Sequence, residues 1–272
     1  MNSPLSHLIL AKVKEQMFSV RMYLAFPVLA LCIIGSVWGL TDPNTVLPAD
    51  IPLDSPMDVL FVSSLFVLLS ATLVGVIISY DGVSRDRASG VLEVKLSQPC
   101  PRRTQAISML LGYWLSIGIP VAILTLISYG VLFYRMQGNL AIMDLFTHLV
   151  ATELVVLWYV QFSLLASSYA RNQSSSISIG IGMWFTFTML WLLVTSVLAG
   201  LSGIEVGGND SWIRFEALMD LFSPNGVYHH LLESRMPQID RGINPILPFI
   251  AAVIWTLAPM FAFFERFERL NP

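Results

Sequence analysis

VLFVSSLFVLLSATLVGVIISYDGVSRDRASGVLEVKLSQPCPRRTQA, residues 59–106, joins two kinds of sequence at an abrupt border. From Val59 to Tyr80 no side chain is charged. A helix needs roughly 20 such residues to cross a hydrocarbon core about 30 Å thick. From Gly82 to Ala106 the chain carries five of its fifteen Lys and Arg residues, although only 12% of all residues are charged. A second apolar run begins at Ala106. An apolar run, a concentrated basic connection and another apolar run form the pattern of a polytopic membrane protein, because basic connections hold their side of the bilayer.

The rest of the 272 residues agrees, with 55% hydrophobic residues and a mean hydropathy of +0.70. Only internally bonded backbone is tolerated among lipid tails, so each long apolar run is predicted to be a helix. The runs are Met22 to Leu40, Val59 to Tyr80, Ala106 to Tyr134, Leu145 to Ala170, Ile177 to Leu201 and Ile246 to Phe264. The third is overlong and contains Pro120, which predicts a kink or tilt. His148 and Glu153, in the fourth, are the only acid or imidazole side chains in these runs. They are about 140° apart around a helix and do not share a face. An ionisable group inside a span suggests function, so Glu153 is the candidate to line a conduit or to bond between helices.

Connections that alternate across the membrane carry eleven Lys and Arg residues on one side and four on the other. The larger sum places both termini and the segment 81–105 in the cytoplasm of a cell whose plasma or inner membrane holds the chain. On the outer side, Thr41 to Asp58 has four aspartates, four prolines and no base. The outer segment 202–245 is too long for a plain loop. It is predicted to hold short helices, with Trp212, Phe215, Leu218, Met219 and Phe222 set against the bilayer or the neighbouring spans.

Residues 1–21 form the first domain and 22–272 the second, a six-span body. In the first, Leu5, Leu8, Ile9, Val13, Met17 and Val20 recur at helical spacing, predicting an amphipathic helix in the interface plane. These residues lack the continuous apolar centre and cleavage site of a secretory signal, so they are expected to stay on the chain. Cys32 lies in an apolar run and Cys100 in the basic connection, so no disulfide is expected. The net charge of −3 gives no field for nucleic acid.

A connection serving topology alone would need only bases. This one also has acids (Asp81, Asp86, Glu93) and a small apolar set (Val83, Val91, Leu92, Val94, Leu96), interrupted by Gly90 and stopped by Pro99 and Pro101. One or two short helices ending in a rigid bend would suit a protein partner that receives a helix in a groove. A merely solvated basic loop is the alternative.

The stretch SRDRASGVLEVKLSQPCPRRTQAISMLLG resembles the sequence between the second and third spans of type-2 ABC exporter permeases. The matching elements are Ser89, Gly90, Val91, Leu92 and Glu93, then Leu96, Ser97, Pro99 and Arg102, then Leu110, Leu111 and Gly112. LFSPNGVYHHLL resembles that family's Ser-Pro-x-x-x-Tyr step, through Ser223, Pro224 and Tyr228. The resemblance implies an all-α membrane fold with a coupling helix docking on a separate cytosolic ABC ATPase. The coupling residues would be Arg85, Asp86, Arg87, Ser89, Gly90, Val91, Leu92, Glu93, Leu96 and Pro99. It further implies an exporter of two six-span copies and two ATPases, with ATP and Mg2+ held by the ATPase and no cofactor on this chain. Within the family it looks most like the branch associated with maturation of multicopper enzymes and nitrous oxide reductase. In that family the first and fifth spans meet across the dimer, making Gly35, Gly39, Ser196 and Gly200 the seam candidates; their small-x-x-x-small spacing lets backbones approach closely. Packing within one copy is the alternative.

The chain cannot be its own motor by any recognisable phosphate loop, because none of its three lysines, Lys12, Lys14 and Lys95, follows a glycine. Gly200-Leu201-Ser202-Gly203 matches the nucleophile motif of rhomboid-type proteases, but the last span supplies no histidine to act as base. Besides that enzyme, a passive scaffold recruiting an extracytoplasmic partner through 202–244 is a rival reading. His229, His230 and Glu233 have metal-ligand chemistry, yet adjacent histidines point apart on a helix, so no metal is expected. Asn209-Asp210-Ser211 is a glycosylation sequon.

Overall fold

The computed structural model describes residues 4–45, 53, 55–137 and 141–270. Residues 46–52 and 54 of the acidic, proline-rich connection lie outside the described residues. Among the described residues every regular element is helical. Six helices are long and apolar enough to cross a membrane: Val20–Leu40, Pro56–Ala88, Arg102–Met136, Ile142–Tyr169, Gln173–Leu201 and Leu247–Glu268. Each includes the apolar run predicted for it to within a residue or two and extends into flanking polar turns. The third runs unbroken through Pro120.

The second span shows why the sequence forms these helices. Ser55 accepts a hydrogen bond from the Asp58 amide (3.1 Å) and Asp58 accepts one from the Ser55 amide (3.0 Å), with Pro56 in the first turn. This reciprocal cap satisfies amides that have no partner within the helix. Buried hydroxyls then donate to carbonyls of their own helix, Ser63 to Leu60 (2.9 Å) and Ser70 to Phe66 (2.7 Å). They therefore tolerate an apolar surrounding while staying small enough for close packing.

The second and fourth spans form the centre. Of the most apolar window in the second span 67% is buried, against 6% in the fifth, so the fifth is peripheral. It touches the body mainly near its start, where Gly180 packs so close to Val76 that an added methyl would lie 2.9 Å from Val76 Cγ1. Two apolar clusters divide the body. One, on the side of the 81–105 connection, gathers Val83, Leu92, Leu110 and Tyr113 with Phe263 and Phe267. The other, on the far side, gathers Leu60, Tyr129, Trp158, Tyr159 and Tyr228. The first and fifth spans each contain one wider i→i+5 turn, at Leu31–Gly35 and Thr186–Leu190.

The amphipathic N-terminal helix covers Pro4–Met17, and Ser19 caps the first span by accepting from the Met22 amide (3.2 Å). Val20 therefore belongs to that span and not to the amphipathic helix. The helix is not free on its apolar side, for Val13 is buried against the third span while Leu8 and Leu10 are exposed. Gly112 makes this possible: a methyl there would lie 2.6 Å from both Cβ and Cγ of Lys12, whose ammonium sits 5.1 Å from the centre of the Tyr113 ring.

Because Lys12 Cβ cannot move without its helix, Gly112→Val is expected to lift the N-terminal helix from the third span, with a loss of about 1–3 kcal/mol. A lower melting temperature in detergent, with new protease cleavage confined to residues 4–19, is the expected result.

Candidate functional site

The connection between the second and third spans folds as two short helices, Ser84–Ala88 and Val91–Leu96, set at an angle by Gly90. Gly90 has φ +72°, a left-handed conformation that glycine adopts without steric penalty. One face of this elbow is anchored. The Val83 and Ser84 amides both donate to the Ser167 hydroxyl, at 3.1 and 3.0 Å. Arg87 reaches the carbonyls where the fourth span ends, donating to Ser168 (2.9 Å) and to Ala170. A cation at a helix C-terminus also opposes the negative end of the helix dipole. Gly82 fits between Leu164 and Tyr113, where a methyl would lie 2.6 Å from Leu164 Cδ2.

The elbow is equally tied to the first span. Arg21 donates twice to the buried Asp81 carboxylate, at 3.0 and 2.8 Å, and lies over the Tyr80 ring, 4.8 Å from its centre. Asp81 is buried while Arg21 is about one-third exposed, so loss of the arginine would leave a buried carboxylate without its compensating charge. At the elbow's end Arg102 donates to the carbonyls of Glu268 (2.7 Å) and Leu270 (2.8 Å), closing the last span onto the third.

The predicted coupling residues thus divide into two sets. Arg85, Ser89, Gly90, Val91, Glu93 and Pro99 are exposed, together with Val94, and form the free face. Leu92 is buried in the apolar cluster and Leu96 packs on it. Asp86 pairs with Lys95, which holds the two short helices together, and Arg87 is the anchor just described. Between elbow and N-terminal helix lies a cleft of about 320 Å³, lined by Lys12, Glu15, Asp86, Lys95 and Gln98 among others. Arg21, Ser167 and the carbonyls gripped by Arg87 and Arg102 are absent from the residues singled out by sequence, where Asp81 stands only among the acids of the connection.

A family model described as ABC-2 family transporter protein matches residues 8–271. The chain belongs to the ABC-2 transporter family. It is a permease subunit of an ABC transporter and a multi-pass membrane protein. No curated protein matches the chain. That family's membrane components generally pair with an ATPase subunit and dimerise.

The other ABC-2 element, Ser223-Pro224…Tyr228, opens a helix on the far side, Pro224–Glu233. Ser223 caps it, Pro224 takes its first position, and the Tyr228 hydroxyl lies 3.3 Å from that of Thr152 on the fourth span. Asn225 accepts from the Tyr159 hydroxyl (2.8 Å) and donates to the Phe187 carbonyl (3.2 Å), binding fourth and fifth spans together. The preceding helix, Asp210–Asp220, is capped by the sequon residue Asn209, which accepts from the Trp212 amide (2.7 Å) and donates to the Glu205 carbonyl (3.0 Å). Of the set predicted to lie against the bilayer or the neighbouring spans, Trp212 is buried in the body beside Ala217, whereas Leu218 and Phe222 are exposed on its surface.

His230 and His229 do point apart. His230 bonds Glu233 (2.9 Å) and the Ala217 carbonyl (3.1 Å), while His229 stands edge-on to Phe61. Ser202, at the end of the fifth span, donates to the Leu198 carbonyl (2.8 Å) like an ordinary helix-ending serine. Glu153 sits at the seam of third and fourth spans, where an added methyl on Gly118 would collide with Oε2 and Trp114 donates to the Glu153 carbonyl (3.2 Å). The Glu153 Oε1 is buried without a hydrogen-bond partner among the described residues. Among the described residues an added methyl on Gly39 or Gly200 would meet nothing within 4 Å, and one on Gly35 would meet only Leu31 of its own turn. Ser196 bonds the Leu192 carbonyl (2.7 Å) in its own helix.

Burial alone would raise the Glu233 carboxyl, but hydrogen bonds from His230 and Arg241, with Arg241's charge, hold it down at about 2. Burial, reinforced by His230 and Arg241 against the pull of Glu233, holds His229 down at about 4, and burial pushes Asp220 up to about 6 against the attraction of His230. A lowered value stabilises the fold above the unfolded value, and that contribution disappears as pH falls. A raised one acts oppositely, so His229 and Asp220 counter each other between pH 6 and 4. Below that range Glu233 carries the change: the far-side helices are expected to lose about 3 kcal/mol as pH falls from 4.5 towards 2. Glu233→Gln should lower the melting temperature at pH 7 and flatten its fall in acid, as followed by thermal melts across pH.

Proposed function

We propose that this permease subunit works in an exporter driven by a separate cytosolic ABC ATPase, two copies of each forming the assembly, with both termini and the elbow in the cytoplasm of the cell membrane. ATP and Mg2+ would be held by the ATPase. The observation that carries this reading is the division of the elbow into an anchored face and a free one. Leu92, Arg87 and the Val83 and Ser84 amides fix it to the body, while Arg85, Ser89, Gly90, Val91, Glu93 and Val94 face outward.

An elbow that only turned the chain would gain nothing from exposing two valines, Val91 (41% exposed) and Val94 (63%), beside an acid and a base. A small apolar centre with a charged rim suits insertion of a short helix into a groove of a protein partner. Force applied there reaches the fourth span through Arg87 and Ser167 and the first through Asp81 and Arg21. The open faces of the first and fifth spans, with Gly35, Gly39, Ser196 and Gly200, would form the seam between copies. Closure of the ATPases would tilt the two copies about that seam and alternate the exposure of a path along it. An ATPase without membrane spans encoded next to this chain would be the partner sought, and other neighbouring genes would bear on the cargo and on the multicopper-enzyme or nitrous oxide reductase branch.

Two kinds of variant separate gripping from transmission. Gly90→Pro cannot adopt φ +72°, and Glu93→Arg inverts the exposed charge. Both are expected to abolish co-purification of the ATPase and transport-linked ATP turnover while membrane insertion stays normal. Arg87→Ala should keep the ATPase bound but lower transport about tenfold or more, because the grip on the fourth span is lost. Co-purification and turnover unchanged in Gly90→Pro and Glu93→Arg would refute the proposed coupling.

A further inference from the structure

A lateral groove of about 480 Å³ runs down the far half of the body between the fourth and sixth spans. Ala151 and Ala252 form its floor, and Phe146, Val150, Phe249 and Val253 its walls. It is concave because alanines stand where the neighbouring turns carry large side chains. The lining runs from Met143 to Leu154 on the fourth span and from Phe249 to Leu257 on the sixth. At 1.5 Å per residue these are about 16 and 12 Å. A hydrocarbon core of about 30 Å gives each leaflet about 15 Å, so the groove is as deep as one leaflet. Both spans begin on the far side, so the groove lies in the leaflet away from the elbow.

Just beyond the far end of the groove, outside its lining, stands an ion pair. Arg235, just beyond the Pro224–Glu233 helix that contributes Leu231 to the lining, donates through Nε to Asp144 (2.7 Å), next to Met143. The two terminal guanidinium nitrogens have no partner among the described residues, and the side chain is 35% exposed. Asp144 fixes the guanidinium in place and leaves two parallel donors for an oxyanion.

We propose that this groove is a binding site for one glycerophospholipid of the leaflet opposite the elbow, with an acyl chain along Ala151 and Ala252 and its phosphate on Arg235. An empty groove would forfeit the dispersion contacts of its lining, so in a bilayer a chain must fill it. The Arg235 donors distinguish this chain from bulk lipid, for which the exposed third-span residues Ile123, Leu126 and Ile127, outside the proposed seam, offer an apolar surface for comparison. The proposal needs neither the ATPase nor the direction of transport, so it stands or falls separately from the coupling reading.

The test uses the full chain in proteoliposomes containing phosphatidylethanolamine with a diazirine in the middle of one acyl chain, with adducts mapped by peptide mass spectrometry. Per residue, adducts on Ala151 to Leu154 and Ala252 to Leu257 should exceed those on Ile123 to Ile127 about tenfold, a preference of about 1.4 kcal/mol. Val253→Trp fills the groove from its exposed wall, a change the fold should accept. It should remove the excess and leave third-span labelling unchanged. Arg235→Gln should lower groove labelling several-fold, with partial recovery in Arg235→Lys. Equal labelling of groove and third span, an excess that survives Val253→Trp, or no response to Arg235→Gln would overturn the site, as would cross-links showing a second copy seated in the groove.

Discussion

Two amide hydrogens, those of Val83 and Ser84, converge on the hydroxyl of Ser167, and the elbow depends on that convergence. When a chain leaves one span and turns at the membrane edge, the freed backbone groups must find partners where water is scarce, each unsatisfied group costing several kcal/mol. Ser167 supplies one oxygen to two donors at the point of exit. The Ser176 hydroxyl meets the Tyr80 carbonyl next to it, so the fourth and fifth spans both serve the end of the second. With its backbone satisfied, the turn can be rigid, and the arginine and aspartate contacts around it become levers instead of repairs.

The same constraint makes the fourth span the axis of the molecule. Its C-terminal turn holds the elbow through Ser167 and the carbonyls bound by Arg87. Its middle and N-terminal turns hold the far-side helix through Thr152 and Tyr159, and the end of that helix through Asp144 and Arg235. A displacement imposed at one end therefore arrives at the other through a single stiff rod. Although about 140° apart around this rod, Glu153 and His148 both reach the third span, Glu153 at Gly118 and His148 through a 2.8 Å contact with the Tyr129 hydroxyl.

Much of this was legible in the residues alone. Twenty apolar residues in a row form a coarse signal that side-chain detail does not disturb, and the positions of Gly90, Pro99 and Pro101 set the elbow's corner and end. What stayed hidden was which side of each short element faces inward. Leu92 and Val91 are adjacent and similar, yet one is core and the other surface, because the third and last spans arrive from elsewhere in the chain to cover only one of them. In the far-side helix the aromatic spacing marked a helix but left open which of its residues pack on the body; Trp212 and Ala217 do, while Leu218 and Phe222 stay on the surface. Arg87 and Arg102 grip backbone carbonyls, which have no signature in a sequence. The N-terminal helix looked like a membrane float because the hollow that receives it is a single glycine a hundred residues away, Gly112.

The wider turns at Leu31–Gly35 and Thr186–Leu190 give the two least buried of the first five spans a property the central pair lacks. Each stores one residue of slack inside an otherwise unbroken helix. Were such a bulge to migrate by a turn, the residues it passed would pivot by about 100° about the axis while nearly every main-chain bond was re-formed. The first and fifth spans thereby contain built-in swivels. Their outward faces can be redrawn residue by residue without either helix sliding through the bilayer.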